Sequence, residues 1–61
     1  MSAPEILIGQ LAELTKVSPK AIRHYETLGL LGVVARRGSY RVYELWQQRA
    51  VRLIRDAQDV G

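Results

Sequence analysis

The chain has 61 residues, which is enough for one small domain and leaves no room for a second core. A hydrophobic fraction of 48% with 25% charged residues is typical of a folded domain and not of a disordered tail. The sequence contains no cysteine and one histidine, which excludes disulfides, thiol redox chemistry and zinc-finger sites within these residues.

The charge balance is compatible with an anionic partner and equally with plain solubility. Nine Lys and Arg residues against six Asp and Glu residues give a net charge of +3.

No run is long and apolar enough to span a bilayer, and the first residues, MSAPEILIGQ, lack the basic start of a signal peptide. The sequence has no nucleophile–base pair, phosphate loop or metal-ligand spacing. We therefore expect a cytoplasmic protein that is not an enzyme and uses no cofactor, metal or membrane.

A short strand and a first helix are expected at the start of the chain. Residues 6–8 form an apolar, β-branched run that predicts an edge strand. From Gly9, the sequence GQLAELTKV predicts a helix of about two turns, with Leu11, Ala12 and Leu14 on one face. Residues 15–17 then connect it to the next element.

The second helix has the clearest boundaries, in the sequence SPKAIRHYETLG. The hydroxyl of Ser18 can accept a bond from an unpaired amide of the first turn, and Pro19 suits the first helical position. Gly29 is well suited to a left-handed residue after the helix, so we expect the helix to end near Leu28.

This second helix is amphipathic and basic. Its predicted apolar face consists of Ala21, Ile22, Tyr25 and Leu28. Its basic patch, at helical spacings of three and four, consists of Lys20, Arg23 and His24. Two helices joined by a short turn, the second capped and basic, have the outline of a helix-turn-helix, which helical hairpins that do not bind DNA share.

A hairpin follows. The β-prone runs LLGVVA and SYRVY, residues 30–35 and 39–43, flank a predicted turn at residues 36–38. Tyr40 and Val42 alternate with Arg41 and Tyr43, so each pair points to its own face. A hairpin after a helix-turn-helix is a wing.

The last predicted element is a long helix, ELWQQRAVRLIRDAQDVG. Its apolar stripe consists of Ala50, Val51, Ile54 and Ala57, widened by Trp46, Leu53 and Val60. The helix is long for so small a domain, so we expect part of this stripe to remain uncovered.

Four motifs give the chain a family resemblance. Residues 8–12 are IGQLA, residues 17–31 are VSPKAIRHYETLGLL, residues 39–43 are SYRVY and residues 54–61 are IRDAQDVG. In this order and spacing they resemble the DNA-binding domain of the MerR family, named for the mercury-resistance regulator. The resemblance covers nearly the whole chain from Ile8 onward.

The resemblance implies a mainly α fold with a small β-hairpin: a winged helix-turn-helix with a two-to-three-stranded wing and a long third helix, one domain over residues 1–61. It also implies a bacterial, nucleoid-associated transcription regulator that binds specific sequences of double-stranded DNA. The second helix would enter the major groove and the wing would hold the flanking backbone. The predicted DNA-binding residues are Ser18, Lys20, Arg23, His24, Tyr25, Arg36, Arg37, Tyr40, Arg41 and Arg55.

Some of these residues have alternative roles. For Arg23, DNA contact, to phosphate more than to a base, competes with pairing to Glu26 or Thr27. For Tyr25, we expect a half-buried ring whose hydroxyl is free to reach a phosphate. Of the wing tyrosines, we expect Tyr43 to pack and Tyr40 to lie near DNA.

Arg55 would serve a second wing, half of which lies outside this chain. His24 either faces DNA or is solvated, and a solvated hairpin tip is the alternative for the wing arginines.

The sequence departs from the family at three places. His24 stands where an aromatic residue is common, and Ser39 stands where glycine is usual, without glycine's tolerance of positive φ. Residues 44–48 replace a SEEDL-like helix start, which loses a serine cap. We expect Leu45 and Trp46, at this point, either to pack in a local cluster or to meet a partner.

Family members continue past the position of Gly61. The resemblance therefore implies a homodimer that forms through a C-terminal helix, and it implies effector-sensing parts. Both the helix and the effector parts are absent from this chain. Two alternatives stay open. One is an excisionase-like architectural DNA-binding protein, and the other is a protein-interaction module that docks through Leu45, Trp46 and the long helix.

Overall fold

A computed structural model describes residues 5–59. Over this range the chain forms three helices and one three-stranded antiparallel sheet, in the order β1, α1, α2, β2, β3, α3. This is the expected winged helix-turn-helix. The part of the last helix predicted at Val60 and Gly61 lies outside the described residues, as do residues 1–4.

The helix-turn-helix consists of α1 (Ile8–Thr15) and α2 (Pro19–Thr27). Lys16 ends α1 in the left-handed conformation, with φ of 60°. The hydroxyl of Ser18 accepts a hydrogen bond from the backbone N–H of Ala21 at 3.1 Å, as the sequence predicts. The chain therefore turns between the two helices within three residues.

The end of α2 also follows the prediction. Gly29 takes a positive φ of 80°, and its N–H donates to the carbonyl of Glu26 at 3.0 Å. The N–H of Leu30 donates to the carbonyl of Tyr25 at 3.1 Å. These two bonds are those of a Schellman motif, which satisfies carbonyls that the last turn leaves unpaired.

The sheet consists of β1 (Ile6–Leu7), β2 (Ala35–Arg37) and β3 (Tyr40–Tyr43), with β3 in the centre. The predicted strand at residues 30–35 is wrong except at its last residue, because the chain from Leu28 to Val34 forms turns and loop. The carbonyls of Leu31 and Val33 bond to the side chain of Gln47 and not to a strand.

The tip of the hairpin explains the serine at position 39. Arg37 pairs with Tyr40, so Gly38 and Ser39 are the two loop residues, and the predicted turn at residues 36–38 is wrong for the two arginines. Gly38 has a φ of 64°, whereas no positive φ occurs at Ser39. A two-residue hairpin turn with glycine first needs the left-handed conformation only there. The serine therefore occupies a position that does not require glycine.

At the start of the long helix α3 (Leu45–Asp59), a glutamine side chain bonds back to the residue that precedes the helix. Gln47 is fully buried, and its Oε1 accepts the N–H of Glu44 at 2.8 Å. Gln10 does the same for Leu7 at the start of α1, at 2.9 Å. Both contacts are the glutamine half of a capping box, in which the third helical residue bonds back to the cap.

The core lies between the three helices and β3. Its buried residues are Leu11, Val17, Ile22, Tyr25, Leu31, Tyr43 and Val51. Leu14 and Leu28, which the helical spacing assigned to core faces, are 55% and 58% exposed, so those two assignments are wrong. On α3, Leu53 is 70% exposed, which confirms that part of the apolar stripe stays uncovered.

Candidate nucleic-acid interface

The basic patch of α2 is exposed as predicted. Lys20, Arg23 and His24 all lie on the solvent side of the helix. Within residues 5–59, no ion pair or hydrogen bond engages their side-chain charges. The structure does not have the alternative pairing of the Arg23 side chain with Glu26 or Thr27. The hydroxyl of Thr27 donates to the backbone carbonyl of Arg23, at 3.0 Å. The carboxylate of Glu26 pairs with Arg41.

The register of the hairpin separates its side chains into two faces. Arg36 lies opposite Arg41, and Tyr43 follows two residues after Arg41, so these three share what we call the inner face. Arg37 lies opposite Tyr40, and this pair forms the tip of the outer face. The four predicted wing contacts are therefore divided equally between the faces.

An ion pair joins the inner face to α2. Nε of Arg41 lies 3.0 Å from a carboxylate oxygen of Glu26, and the two side chains are 33% and 23% exposed. Glu26 follows Arg23 by one helical turn, so the guanidinium groups of Arg23 and Arg41 border the same junction. The ion pair holds the wing against α2. The Nη groups of Arg41 take no part in this contact.

The hydroxyl of Tyr43 lies at this junction. Tyr43 is fully buried, which confirms that it is the packed wing tyrosine, whereas Tyr40 is 66% exposed. Burial raises the pKa of the Tyr43 hydroxyl, and the Glu26 carboxylate raises it further, while Arg41, Arg23 and Arg36 act in the opposite direction. Four charged side chains therefore act on this one hydroxyl.

The outer face is held differently. Nη2 of Arg37 lies 2.6 Å from Oε1 of Glu5. The hydrogen bond to this carboxylate raises the pKa of Arg37, and the negative charge of the carboxylate raises it further. The side chain of Arg37 is 71% exposed, so the contact is in water and screened by salt.

Tyr25 is the clearest correction among the predicted contacts. It is only 6% exposed, and its hydroxyl donates to Oε1 of Gln58 on α3 at 3.1 Å. The hydroxyl that was expected to be free therefore forms a hydrogen bond inside the domain, and this bond connects α2 to α3.

Two other predicted contacts have structural roles. Ser18 is the cap of α2, as described above. Arg55 donates from Nη1 to the carbonyl of Thr15 at 2.7 Å, at the end of α1, and its Nε and Nη2 bond to Asp56. A cation at a helix C-terminus stabilises unpaired carbonyls. DNA contact by Ser18, Tyr25 and Arg55 stays a prediction.

Leu45 and Trp46 fall on different sides of the start of α3. Leu45 is half-buried and lines a small surface cavity with Leu14 and Arg52. The ring of Trp46 lies over Gly32, where an added Cβ would be 3.2 Å from the ring, and its Nε1 donates to Glu44 at 3.3 Å. Both therefore pack locally, although Trp46 stays 51% exposed.

Sequence reasoning missed Glu26, which holds Arg41 at the site, and Gln47, which organises the start of α3. Glu26 was considered only as a partner of Arg23, because the pairing of Arg41 with α2 depends on tertiary structure. Gln47 did have a local signal: Glu44 and Gln47 stand three apart, the spacing of a capping box.

The chain is similar to proteins of one known family. Residues 7–43, which include the helix-turn-helix and the wing, match the family described as "MerR family regulatory protein". The chain belongs to the MerR family. Its members are DNA-binding transcription regulators, and this MerR-type domain has their winged helix-turn-helix fold.

Named relatives agree with this family. The chain is 40% identical over 55 residues to "HTH-type transcriptional regulator HmrR" of Sinorhizobium medicae, covering 88% of this chain and 37% of that protein. It is 41% identical over 61 residues to "HTH-type transcriptional activator SoxR homolog" of Chromobacterium violaceum, covering 100% of this chain and 41% of that protein. The chain therefore spans about two-fifths of the length of these relatives. No solved structure shows a significant match.

No group of His, Asp or Glu side chains suitable for a metal ion occurs among residues 5–59. Within the same range, no helix has the length and apolarity needed to cross a membrane.

The family match favours a regulator over the excisionase-like alternative and over a module that binds only proteins.

Proposed function

We propose that this MerR-type domain binds double-stranded DNA with α2 in the major groove and the wing on the flanking backbone, as the DNA-binding part of a transcription regulator. The observation that carries the proposal is the junction of Arg23, Arg36 and Arg41, where the recognition helix and the wing meet. Lys20 and His24 extend the same basic surface along α2.

The groove assignment rests on the shape and charge of α2. The helix has a buried face, which contains Ile22 and Tyr25, and an exposed basic face. A helix of this kind fits the major groove, and most of its contacts there are to phosphates. Lys20 and Arg23 are therefore proposed as backbone contacts, while His24 is a candidate for a base edge.

The experiment is equilibrium binding to a labelled random-sequence duplex at several salt concentrations. If Lys20 and the junction of Arg23, Arg36 and Arg41 together neutralise two to four phosphates, the log–log slope of affinity against salt is roughly −2 to −4. Absence of binding at low salt, or binding that does not change with salt, would contradict the proposal.

Paired substitutions test the contact residues. Changing Arg23 and Arg41 together to alanine should abolish most duplex binding and leave the circular dichroism spectrum unchanged. The control changes Arg49 and Arg52 to alanine, which removes the same net charge from exposed positions of α3. Equal losses in the two double variants would show that net charge matters and that this surface does not.

The whole protein is further proposed to be a homodimer in the bacterial cytoplasm, on nucleoid DNA, with the pairing helix outside these 61 residues. This chain alone should then sediment as a monomer. A stable dimer of the 61-residue chain would contradict this location of the pairing helix.

A further inference from the structure

The hydroxyl of Tyr43 is a buried polar group without a hydrogen-bond partner among the residues that the structure describes. Native proteins leave few such groups, because an unpaired buried hydroxyl lowers stability. A phenylalanine would fill the same space without this loss. The position of the hydroxyl, and not the packing of the ring, therefore needs an explanation.

The hydroxyl belongs to a junction of charges that the backbone register brings together. Arg36 and Arg41 are direct cross-strand partners, and Tyr43 is on the same face as Arg41. Nε of Arg41 is anchored to Glu26 at 3.0 Å, one helical turn after Arg23. Arg23, Arg36 and Arg41 with Glu26 therefore give a net charge of +2 around the hydroxyl of Tyr43.

We propose that Arg23, Arg36 and Arg41 bind one phosphate group against the hydroxyl of Tyr43, so that α2 and the inner face of the wing share a single phosphate site. The inference rests on the proposed function for the source of the phosphate, which is the DNA backbone. Tyr43 is then a direct ligand in addition to a packed ring, and Glu26 is a positioning residue that orients Arg41.

The chemistry of the site fits an anion with several acceptor oxygens. Guanidinium groups offer only donors, and their hydrogen bonds to phosphate oxygens are charge-assisted. Because Nε of Arg41 is bonded to Glu26, its Nη groups are the donors left for a ligand. The Tyr43 hydroxyl is protonated at neutral pH and can donate a hydrogen bond to a phosphate oxygen.

Access to the hydroxyl requires a movement of side chains. The Tyr43 oxygen has less than 1 Å² of exposed surface, whereas Arg23 and Arg36 are exposed. These long side chains are free to rotate toward a phosphate, and the inference requires that their movement opens a path to the hydroxyl.

The first test is Tyr43→Phe in the full 61-residue chain, with the labelled duplex as probe. Loss of a charge-assisted hydrogen bond lowers affinity about tenfold. The salt slope should not change, because no charge is removed, and the melting temperature should stay the same or rise. Affinity within about twofold of the parent overturns the inference even if the parent binds DNA normally.

The second test is a double-mutant cycle between Tyr43→Phe and Arg36→Ala. If both contact one phosphate, the double variant loses less than the product of the two single losses, because the site is already incomplete. Arg49→Ala, on α3, is the control and should combine with Tyr43→Phe multiplicatively. Multiplicative losses with Arg36→Ala as well would show that the two residues do not share a ligand.

Glu26 gives a test with opposite signs. Glu26→Ala and Glu13→Ala remove the same charge, and both make the chain more basic. We expect Glu13→Ala to bind as well as the parent or better, whereas Glu26→Ala binds several-fold more weakly because Arg41 is no longer oriented. Glu26→Gln, which keeps an acceptor for Nε, should restore binding. Tighter binding by Glu26→Ala than by Glu13→Ala would overturn the positioning role.

Inorganic phosphate separates the possible sources of the ligand. Amide spectra are recorded with phosphate and with sodium chloride at equal ionic strength. Shifts confined to Arg23, Arg36, Arg41 and Tyr43 assign the site to phosphate in general, and a Tyr43→Phe effect on duplex without such shifts assigns it to the DNA backbone. If the parent chain binds no duplex, the proposed function fails; the phosphate site then stands if these shifts occur and falls if they do not.

Discussion

The two faces of the wing carry similar side chains in different surroundings. The inner face presents two arginines and Tyr43 to the recognition helix, and its Arg41 forms a partly buried ion pair with Glu26. The outer face presents Arg37 and Tyr40 to solvent, and its ion pair with Glu5 is exposed. Two arginine–tyrosine sets only a few residues apart thus differ in how firmly they are held.

The difference teaches which charges are pre-organised for a ligand. A side chain fixed by a partly buried partner loses less conformational freedom on binding than one that moves in water. Exposed ion pairs contribute little and are screened by salt. We therefore expect the inner face to dominate binding, although both faces carry the residues that sequence analysis assigns to DNA.

The largest expected effect is a contrast between Arg41→Ala and Arg37→Ala in duplex binding. Loss of Arg41 removes charge-assisted bonds at the junction and should weaken binding about 10- to 100-fold. Loss of the exposed Arg37 should weaken it about threefold or less. Fluorescence anisotropy at one fixed salt concentration measures both, and equal losses would remove the distinction between the faces.

The next effect concerns the turn that sets the register of both faces. Gly38→Ala should destabilise the domain by about 1–2 kcal/mol, because φ of 64° is left-handed, even though nothing lies within 4 Å of the added Cβ. Ser39→Gly should cost less, about 0.4–1 kcal/mol, through the entropy of the unfolded chain. Urea denaturation compares them. A larger loss at Ser39 would mean that the left-handed residue has been misassigned.

A smaller effect is expected in the stability of the domain at alkaline pH. The folded-state pKa of Tyr43 is raised, so its contribution is fully present below the ordinary value of about 10 and is lost as pH rises through the raised value. Tyr43→Phe should reduce the fall in melting temperature above that pH. Tyr40→Phe removes an exposed phenol and should keep the fall, and equal curves for the two variants would contradict the assignment.

The smallest expected effect is on the outer ion pair. Glu5→Gln should leave the melting temperature unchanged within error, because its partner Arg37 is exposed to solvent. A clear decrease would show that the outer face is held more firmly than its exposure indicates.

Much of the fold was predictable because its signals are local. Ser18 and Pro19 start α2, and Gly29 ends it through bonds to neighbouring carbonyls. The strand at residues 30–35 was predicted wrongly for a physical reason. Its apolar side chains suit a strand, but two of its carbonyls are taken by Gln47, sixteen and fourteen residues away.

The candidate site was predictable in composition but not in arrangement. The basic residues of α2 and the wing could be named from the motifs, and the alternation along β3 separated Tyr40 from Tyr43. The alternation did not say which face meets α2. The free hydroxyl expected for Tyr25 was wrong because its partner, Gln58, is 33 residues away.

The sequence by itself determined both ends of α2, the excess of positive charge and membership of the MerR family. The two ends of α2 depend on residues within a few positions of one another, where side-chain and backbone chemistry act directly. Only the tertiary structure decided that Glu26 holds Arg41, 15 residues away, and that the buried Tyr43 hydroxyl, without a hydrogen-bond partner among residues 5–59, is subject to the charge of three arginines. Those contacts depend on how the hairpin packs against α2, and that packing is a property of the assembled core.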